Sequence, residues 1–242
     1  MALISVPGRE VADPRGTLPV REGCSGYPAR PLEGIQMAVI HYSGVDADSS
    51  ALQIARYQTG KAEGDPFPEI AYSFVVRRDG QIEQCHDLET RSWHAGGHNN
   101  DTGVGICLPG LDWPAEPQLA SAAALVTALQ RELGRGLRVV GHKELRATAC
   151  PGPNWPIWKE HLLRLTARET RRQAAASPST IPVVLGFRRL YDRLGPELCG
   201  VPLAPEGYDG SGNSNQPFSR CEMRWDKGEN RVWVNFKWIA EG

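Results

Sequence analysis

Two short apolar runs, each delivering a histidine, constrain this chain more than any other feature. The run Leu137-Arg-Val-Val140 leads through Gly141 into His142. It is too short and too rich in valine for a helix and reads as a buried strand. Eight residues after His142 comes Cys150, followed by Pro151 and Gly152, whose ring and missing side chain shape the backbone there. Upstream, Met37-Ala-Val-Ile40 runs into His41 in the same way. Two imidazoles and a thiolate are good ligands for divalent zinc. Three protein ligands leave a fourth position open, which separates a catalytic from a closed structural site. His41, His142 and Cys150 are therefore the candidate metal ligands.

The rest of the chain alternates strand and helix patterns. Residues 1–35, rich in Gly, Pro and charge, read as an irregular arm. Asp48, Ser49 or Ser50 caps a helix through Thr59, with Leu52, Ala55 and Arg56 at helical spacing and Gly60 as its stop. A loop follows at 64–68. Tyr72–Arg77 and Gln81–Cys85 read as strands joined by a turn at Asp79-Gly80. Thr90–Thr102 reads as a loop and Gly103–Leu108 as a strand. Pro117–Leu133 is the strongest helix, with Leu119, Ala122, Val126, Leu129 and Leu133 on one face and Gly134 as cap. Asn154 caps a last helix that carries Trp158, Leu162 and Leu165 on one face. This order predicts an α/β fold, a mixed central sheet flanked by helices.

Thr170–Pro182 reads as a helix end running into a linker. Residues 183–242 have a pattern of their own. Phe187, Leu190, Tyr191 and Leu194 predict a short helix closed by Gly195-Pro196, and 206–217 reads as a loop. Arg220–Trp225 and Arg231–Trp238 predict a hairpin. The expected organisation is a catalytic domain over 1–170 with its core at 30–168, a linker over 171–182, and a small α+β module over 183–242.

Bulk properties exclude several classes. Lys and Arg total 27 against 28 Asp and Glu, so nothing points to nucleic acid. No window of about 18 apolar residues exists, so no membrane span is expected. The first ten residues lack a basic start and an apolar core, so no secretory signal is expected. Six cysteines (24, 85, 107, 150, 199 and 221) show no C-x-x-C spacing, which argues against a structural zinc knuckle. Cys107 reads as a small buried apolar residue. Cys199 and Cys221 are the pair that could meet in the tail, but synthesis in a reducing cytosol argues against a disulfide. His142-Lys-Glu144 also opens the nucleobase-deaminase signature. That signature needs a later Pro-Cys-x-x-Cys, and here the order is Cys-Pro with no second cysteine following. Glu144 therefore reads as a surface or supporting group rather than a general base.

Four segments occur in one order: Met37-Ala-Val-Ile-His-Tyr-Ser43, Ile70-Ala-Tyr-Ser-Phe-Val-Val-Arg-Arg-Asp-Gly80, Ser92-Trp-His-Ala-Gly96, and Gly141-His followed by Thr148-Ala-Cys-Pro-Gly152. Over residues 30–168 the chain resembles the zinc-dependent N-acetylmuramoyl-L-alanine amidases found in phage lysins and peptidoglycan recognition proteins. The resemblance implies a Zn2+ cofactor that lowers the pKa of water from ~15.7 to about 7 and polarises the scissile amide. It also implies peptidoglycan as substrate. It places Tyr72 facing the reacting centre and Thr148 beside it; many phage members carry lysine at that last position, so one neutral hydrogen bond stands in for a charge. It places Trp93 and His94 at the substrate groove and Asn100 on the backbone of the stem peptide. His86, His98 and His161 match no family position and read as solvated. Release to the cell wall in the manner of a phage lysin, as a monomer, is the corresponding expectation. The alternatives are a peptidoglycan receptor without catalysis, in which the cysteine is commonly serine, and a cytosolic amidase recycling wall fragments, for which an extra tail has no use.

The tail holds eight of the chain's eighteen aromatic residues, with eight Lys/Arg and eight Asp/Glu. Simple attraction to an anionic wall is thus a poor explanation for any binding. Alternation puts Val232, Val234, Phe236 and Trp238 on an inward face with Cys221, Met223 and Trp225, leaving Arg220, Glu222, Arg224, Trp233, Asn235 and Lys237 outward. Trp233 among polar neighbours is suited to stacking on a sugar ring, and the tail is expected to bind cell wall through it.

Overall fold

Alternation along three central strands decides which side of the sheet carries the main core and which carries the site. The computed structural model describes residues 3–60, 67–176, 183 and 185–236. The loop expected at 64–68 lies partly, and residues 177–182 and Trp238 wholly, outside the described residues. The chain divides into two compact units, Met1–Glu169 and Thr170–Gly242.

The first unit contains β1 (Val11–Ala12), β2 (Met37–Tyr42), α1 (Ala51–Thr59), β3 (Phe74–Val76), β4 (Ile82–Gln84), α2 (Asn99–Thr102), β5 (Gly103–Leu108), α3 (Glu116–Glu132), β6 (Arg138–Gly141) and the larger part of α4 (Trp155–Ala176). The strands form one mixed sheet in the order β1-β4-β3-β5-β2-β6. β2 runs parallel to β5 and β6, while β3 and β4 form an antiparallel hairpin. Ala38 and Ile40 of β2, Val104 and Ile106 of β5, and Phe74 and Val76 of β3 share a core with Leu119, Val126 and Leu129 of α3 and with Trp155, Trp158 and Leu162 of α4. Trp155 and Trp158 meet edge to face at 4.5 Å, worth about 0.5–1.5 kcal/mol beyond the area they bury. The alternate residues Val75 and Cys107 turn to the other side, against Ala51, Ile54 and Ala55 of α1. His41, next to Ile40, turns that way too and is 1% exposed.

Ser50 caps α1 in a reciprocal pair with Gln53. That start sets Ala51, Ile54, Ala55 and Gln58 inward, spaced as one helical face. The expected face through Leu52 and Arg56 is therefore displaced, and Leu52 is exposed. Gln58 is drawn in because its Oε1 accepts the Ala71 N–H at 2.8 Å. α3 ends before Gly134, whose φ of 63° supplies the left-handed stop. α4 continues to Ala176, well into the stretch expected as linker, on residues of good helix propensity. The N-terminal arm is less irregular than expected. Ile4 and Val6 are buried in the main core, and β1 pairs with β4 in parallel.

The second unit contains α5 (Leu185–Cys199), β7 (Gly207–Tyr208), β8 (Ser214–Pro217), β9 (Cys221–Asp226) and β10 (Arg231–Phe236). Its antiparallel sheet has the order β10-β9-β8-β7. α5 breaks at Gly195, where φ is 79°, just before Pro196. The segment 206–217, expected as a loop, instead supplies two strands. The Asp209 side chain accepts the N–H groups of Ser211 and Asn213, compressing the Gly/Ser stretch into a turn. Phe187, Cys199, Phe218, Cys221 and Met223 form the core, and Cys199 and Cys221 are not joined by a disulfide. Phe236, expected inward, is 51% exposed at the end of β10. Among the described residues no helix is long and apolar enough to cross a membrane.

Candidate metal centre and its cleft

His41 lies near the end of β2, and His142 opens the 3-10 turn that follows β6. The parallel pairing of these strands sets the two rings side by side, 4.6 Å between centroids. Cys150 Sγ lies 3.7 Å from His41 Nδ1, and one ligand atom from each of the three residues lies within 4.8 Å of the others. His142 Nε2 is buried and has no hydrogen-bond partner among the described residues. A buried nitrogen left in that state is costly unless something binds it. Burial holds both imidazoles below their ordinary pKa, helped at His41 by the neighbouring rings. Neutral imidazole is the ligating form. Burial pushes the Cys150 thiol up to about 11, against the Tyr42 N–H that reaches its sulfur at 3.4 Å. Two neutral imidazoles and a thiol converging on one point form a donor set that fits a metal ion.

The loop carrying His142 and Cys150 is held from behind. Glu144 Oε1 accepts from the Gly141 N–H at 2.7 Å and from Trp155 Nε1 at 2.6 Å, and Lys159 Nζ bonds both carboxylate oxygens. Lys143 closes the loop, its N–H donating to Cys150 O at 2.7 Å and its Nζ to Gly152 O at 2.8 Å. Gly141 is required at the strand end, since a Cβ there would fall 2.6 Å from Trp155 Nε1.

His94 fixes the tautomer of His41. Its Nε2 lies 3.0 Å from Gly103 O and its Nδ1 lies 3.0 Å from His41 Nε2. A carbonyl only accepts, so Nε2 of His94 carries the proton. Burial pushes the pKa of His94 down to about 3, so the ring is neutral and Nδ1 is bare. His41 must then donate from Nε2, which leaves the lone pair of Nδ1 aimed toward Cys150. β5 makes room for the ring with glycines: a Cβ on Gly105 would fall 2.7 Å from His94 Cγ.

The three candidate ligands line a cleft of about 590 Å³ with Tyr57, Phe67, Tyr72, Trp93 and residues of α1. The profile of the N-acetylmuramoyl-L-alanine amidase family matches residues 30–153, 124 of the 242, and takes in all three. The chain belongs to that family. The family is generally zinc-dependent, and the His/His/Cys cluster lies where it could hold such an ion. The endolysin of Klebsiella phage KP32 is 30% identical over 99 residues, 38% of this chain and 65% of the relative. A peptidoglycan-recognition protein of Drosophila melanogaster is 30% identical over 105 residues, 38% of this chain and 57% of the relative. The matches thus span roughly three fifths of these relatives' length. The solved endolysin N-acetylmuramoyl-L-alanine amidase LysCS from Clostridium intestinale URNW superposes with a TM-score of 0.51 at 22% identity, over 68% of this chain and 97% of its own. It shares the mixed-sheet fold.

Within this amidase-family frame the other candidate residues separate. Tyr72 lines the cleft, its ring 5.0 Å from that of His41, and burial keeps its phenol protonated. Trp93 lines the same cleft, is 43% exposed and packs edge-on against Tyr27. Thr148 is exposed, its Oγ1 accepting the Cys150 N–H at 3.3 Å, and it is not among the described residues lining the cleft. His94 lines the cleft too, with both ring nitrogens engaged inside the protein. Two expectations are corrected. Asn100, expected on the stem peptide, is 4% exposed and turned inward, its Oδ1 accepting from Ala95 and Gly96, each at 2.8 Å; it braces the Trp93 loop. The second correction concerns His86, expected to be solvated. It is 7% exposed, with Nε2 2.7 Å from Ile70 O. Glu144 had a legible signal, the i, i+3 capping relation to Gly141. His94 as a support for His41 had none, since it depends on a register set across the sheet.

Proposed function

We propose that this chain hydrolyses the amide bond between N-acetylmuramic acid and L-alanine in peptidoglycan, with Zn2+ held by His41, His142 and Cys150. The observation that carries the proposal is the convergence of those three donors in one cleft inside the segment matched to the amidase family. When bound there, zinc supplies Lewis acidity that acidifies water and polarises a carbonyl. The chain's own groups supply the rest. His94 holds Nδ1 of His41 toward the centre through the bond to Nε2. Glu144 holds the turn that presents His142. Tyr72, protonated, donates a hydrogen bond to the oxygen on which charge develops. Trp93, Tyr57 and Phe67 give the cleft apolar walls for the muramoyl and peptide portions. Thr148, by accepting from the Cys150 N–H, positions the thiolate and keeps its own proton to donate. A complete His/His/Cys set supports hydrolysis over recognition alone. Action at the cell wall, as the phage endolysin relatives suggest, follows from the same substrate.

Purified protein is expected to contain about one zinc per chain. A strong chelator should abolish wall lysis, and added zinc should restore it. Full lysis in chelator by metal-free protein would refute the proposed site.

A further inference from the structure

We propose that the outward face of the second unit's sheet is a binding site for an uncharged glycan, with Trp233 as its stacking platform. The proposal is independent of hydrolysis in the first unit. On β9 and β10, Cys221 and Met223 are fully buried and Val232 and Val234 half-buried, so the intervening residues point away from the core. Trp233 is among these and is 54% exposed. Strand register aligns Asn215, Arg224 and Trp233 in one row across β8, β9 and β10, with Glu222 and Asn235 paired in the next row. Together with Asp209 these residues line a groove of about 630 Å³, within the ~300–1,000 Å³ range of ligand clefts.

The chemistry of the groove selects its occupant. A single indole standing among amides and carboxylates lacks the apolar surround of a protein-interface core. A sugar ring offers one C–H face to an aromatic and a rim of hydroxyls to polar side chains, which this arrangement matches. Asn215 Nδ2 lies 3.4 Å from Glu222 Oε1, presenting an amide and a carboxylate side by side. An anionic polymer is disfavoured. Arg224 is already faced by Asp209 at 3.7 Å, and Asp209, Glu222 and Asp226 outnumber it around the groove. Asp209 and Asp226 are fixed by capping the turns Ser211–Asn213 and Gly228–Glu229, so the acidic rim is a built part of the fold.

The test is sedimentation of the full chain with purified cell walls in the presence of chelator, so that binding is read without turnover. Trp233→Ala is expected to weaken binding roughly tenfold. Walls stripped of anionic polymers should bind as well as untreated walls, and a soluble N-acetylglucosamine oligosaccharide should compete. Asn235→Ala should weaken binding severalfold with an unchanged melting temperature, and it decides the matter if Trp233→Ala proves unstable. Both variants should hydrolyse a soluble muropeptide at the parent rate, which separates this site from the catalytic one. Unchanged binding in the variants, loss of binding on stripping, or no competition would each overturn the proposal.

Discussion

Cys150→Ser is expected to lower peptidoglycan hydrolysis by about three orders of magnitude or more while leaving the fold intact. The substitution keeps the volume of a residue that is only 8% exposed, so the packing around it changes little. It removes the one soft, anionic donor of the set, leaving two neutral imidazoles. Losing several kcal/mol of electrostatic stabilisation corresponds to ~10³ or more in rate at about 1.4 kcal/mol per tenfold. The main core lies on the opposite side of the sheet and is built of aliphatic residues with Phe74, Trp155 and Trp158, so the fold does not depend on a metal as a zinc finger does. Zinc content should fall with activity, while the melting temperature without metal stays within about 2 °C of the parent. Retained activity in the serine variant would remove the thiolate from the mechanism.

Glu144→Ala is expected to have the largest effect on stability of any exposed residue near the site. Its carboxylate accepts from Gly141, Trp155 and Lys159, joining the end of β6 to the start of α4. Trp155 is 2% exposed, so its indole N–H would be left unpaired inside the core. Adding the lost cap, the cost is about 2–4 kcal/mol, or roughly 5–15 °C in melting temperature. Zinc affinity should fall about tenfold or more, because the turn that presents His142 loosens. Glu144→Gln keeps an acceptor at Oε1 and should recover most of both losses. An alanine variant with parent stability would show that water replaces the carboxylate at no cost.

The features legible in the sequence are those that rest on local pattern. The runs ending at His41 and His142 are readable as strands because valine and isoleucine with bounding glycines leave little else possible. The α3 helix is readable from its spacing and Gly134. Features that depend on register across the sheet are not. Nothing beside His94 announces that Gly103 and Gly105 clear a space for its ring. Asn100 and His86 have polar side chains in polar stretches, and only the folded chain brings backbone groups to meet them. β8 is hidden because Ser214-Asn-Gln-Pro217 buries polar Ser214 and Gln216, so it carries no hydrophobic alternation.

The bond that is cut is the most direct test. Purified peptidoglycan digested by the intact chain should yield new L-alanine amino termini in amounts that match the loss of turbidity, with glycan strands of unchanged length and no new reducing ends. New reducing sugar ends without new amino groups would make the chain a glycosidase and contradict the site assigned to His41, His142 and Cys150.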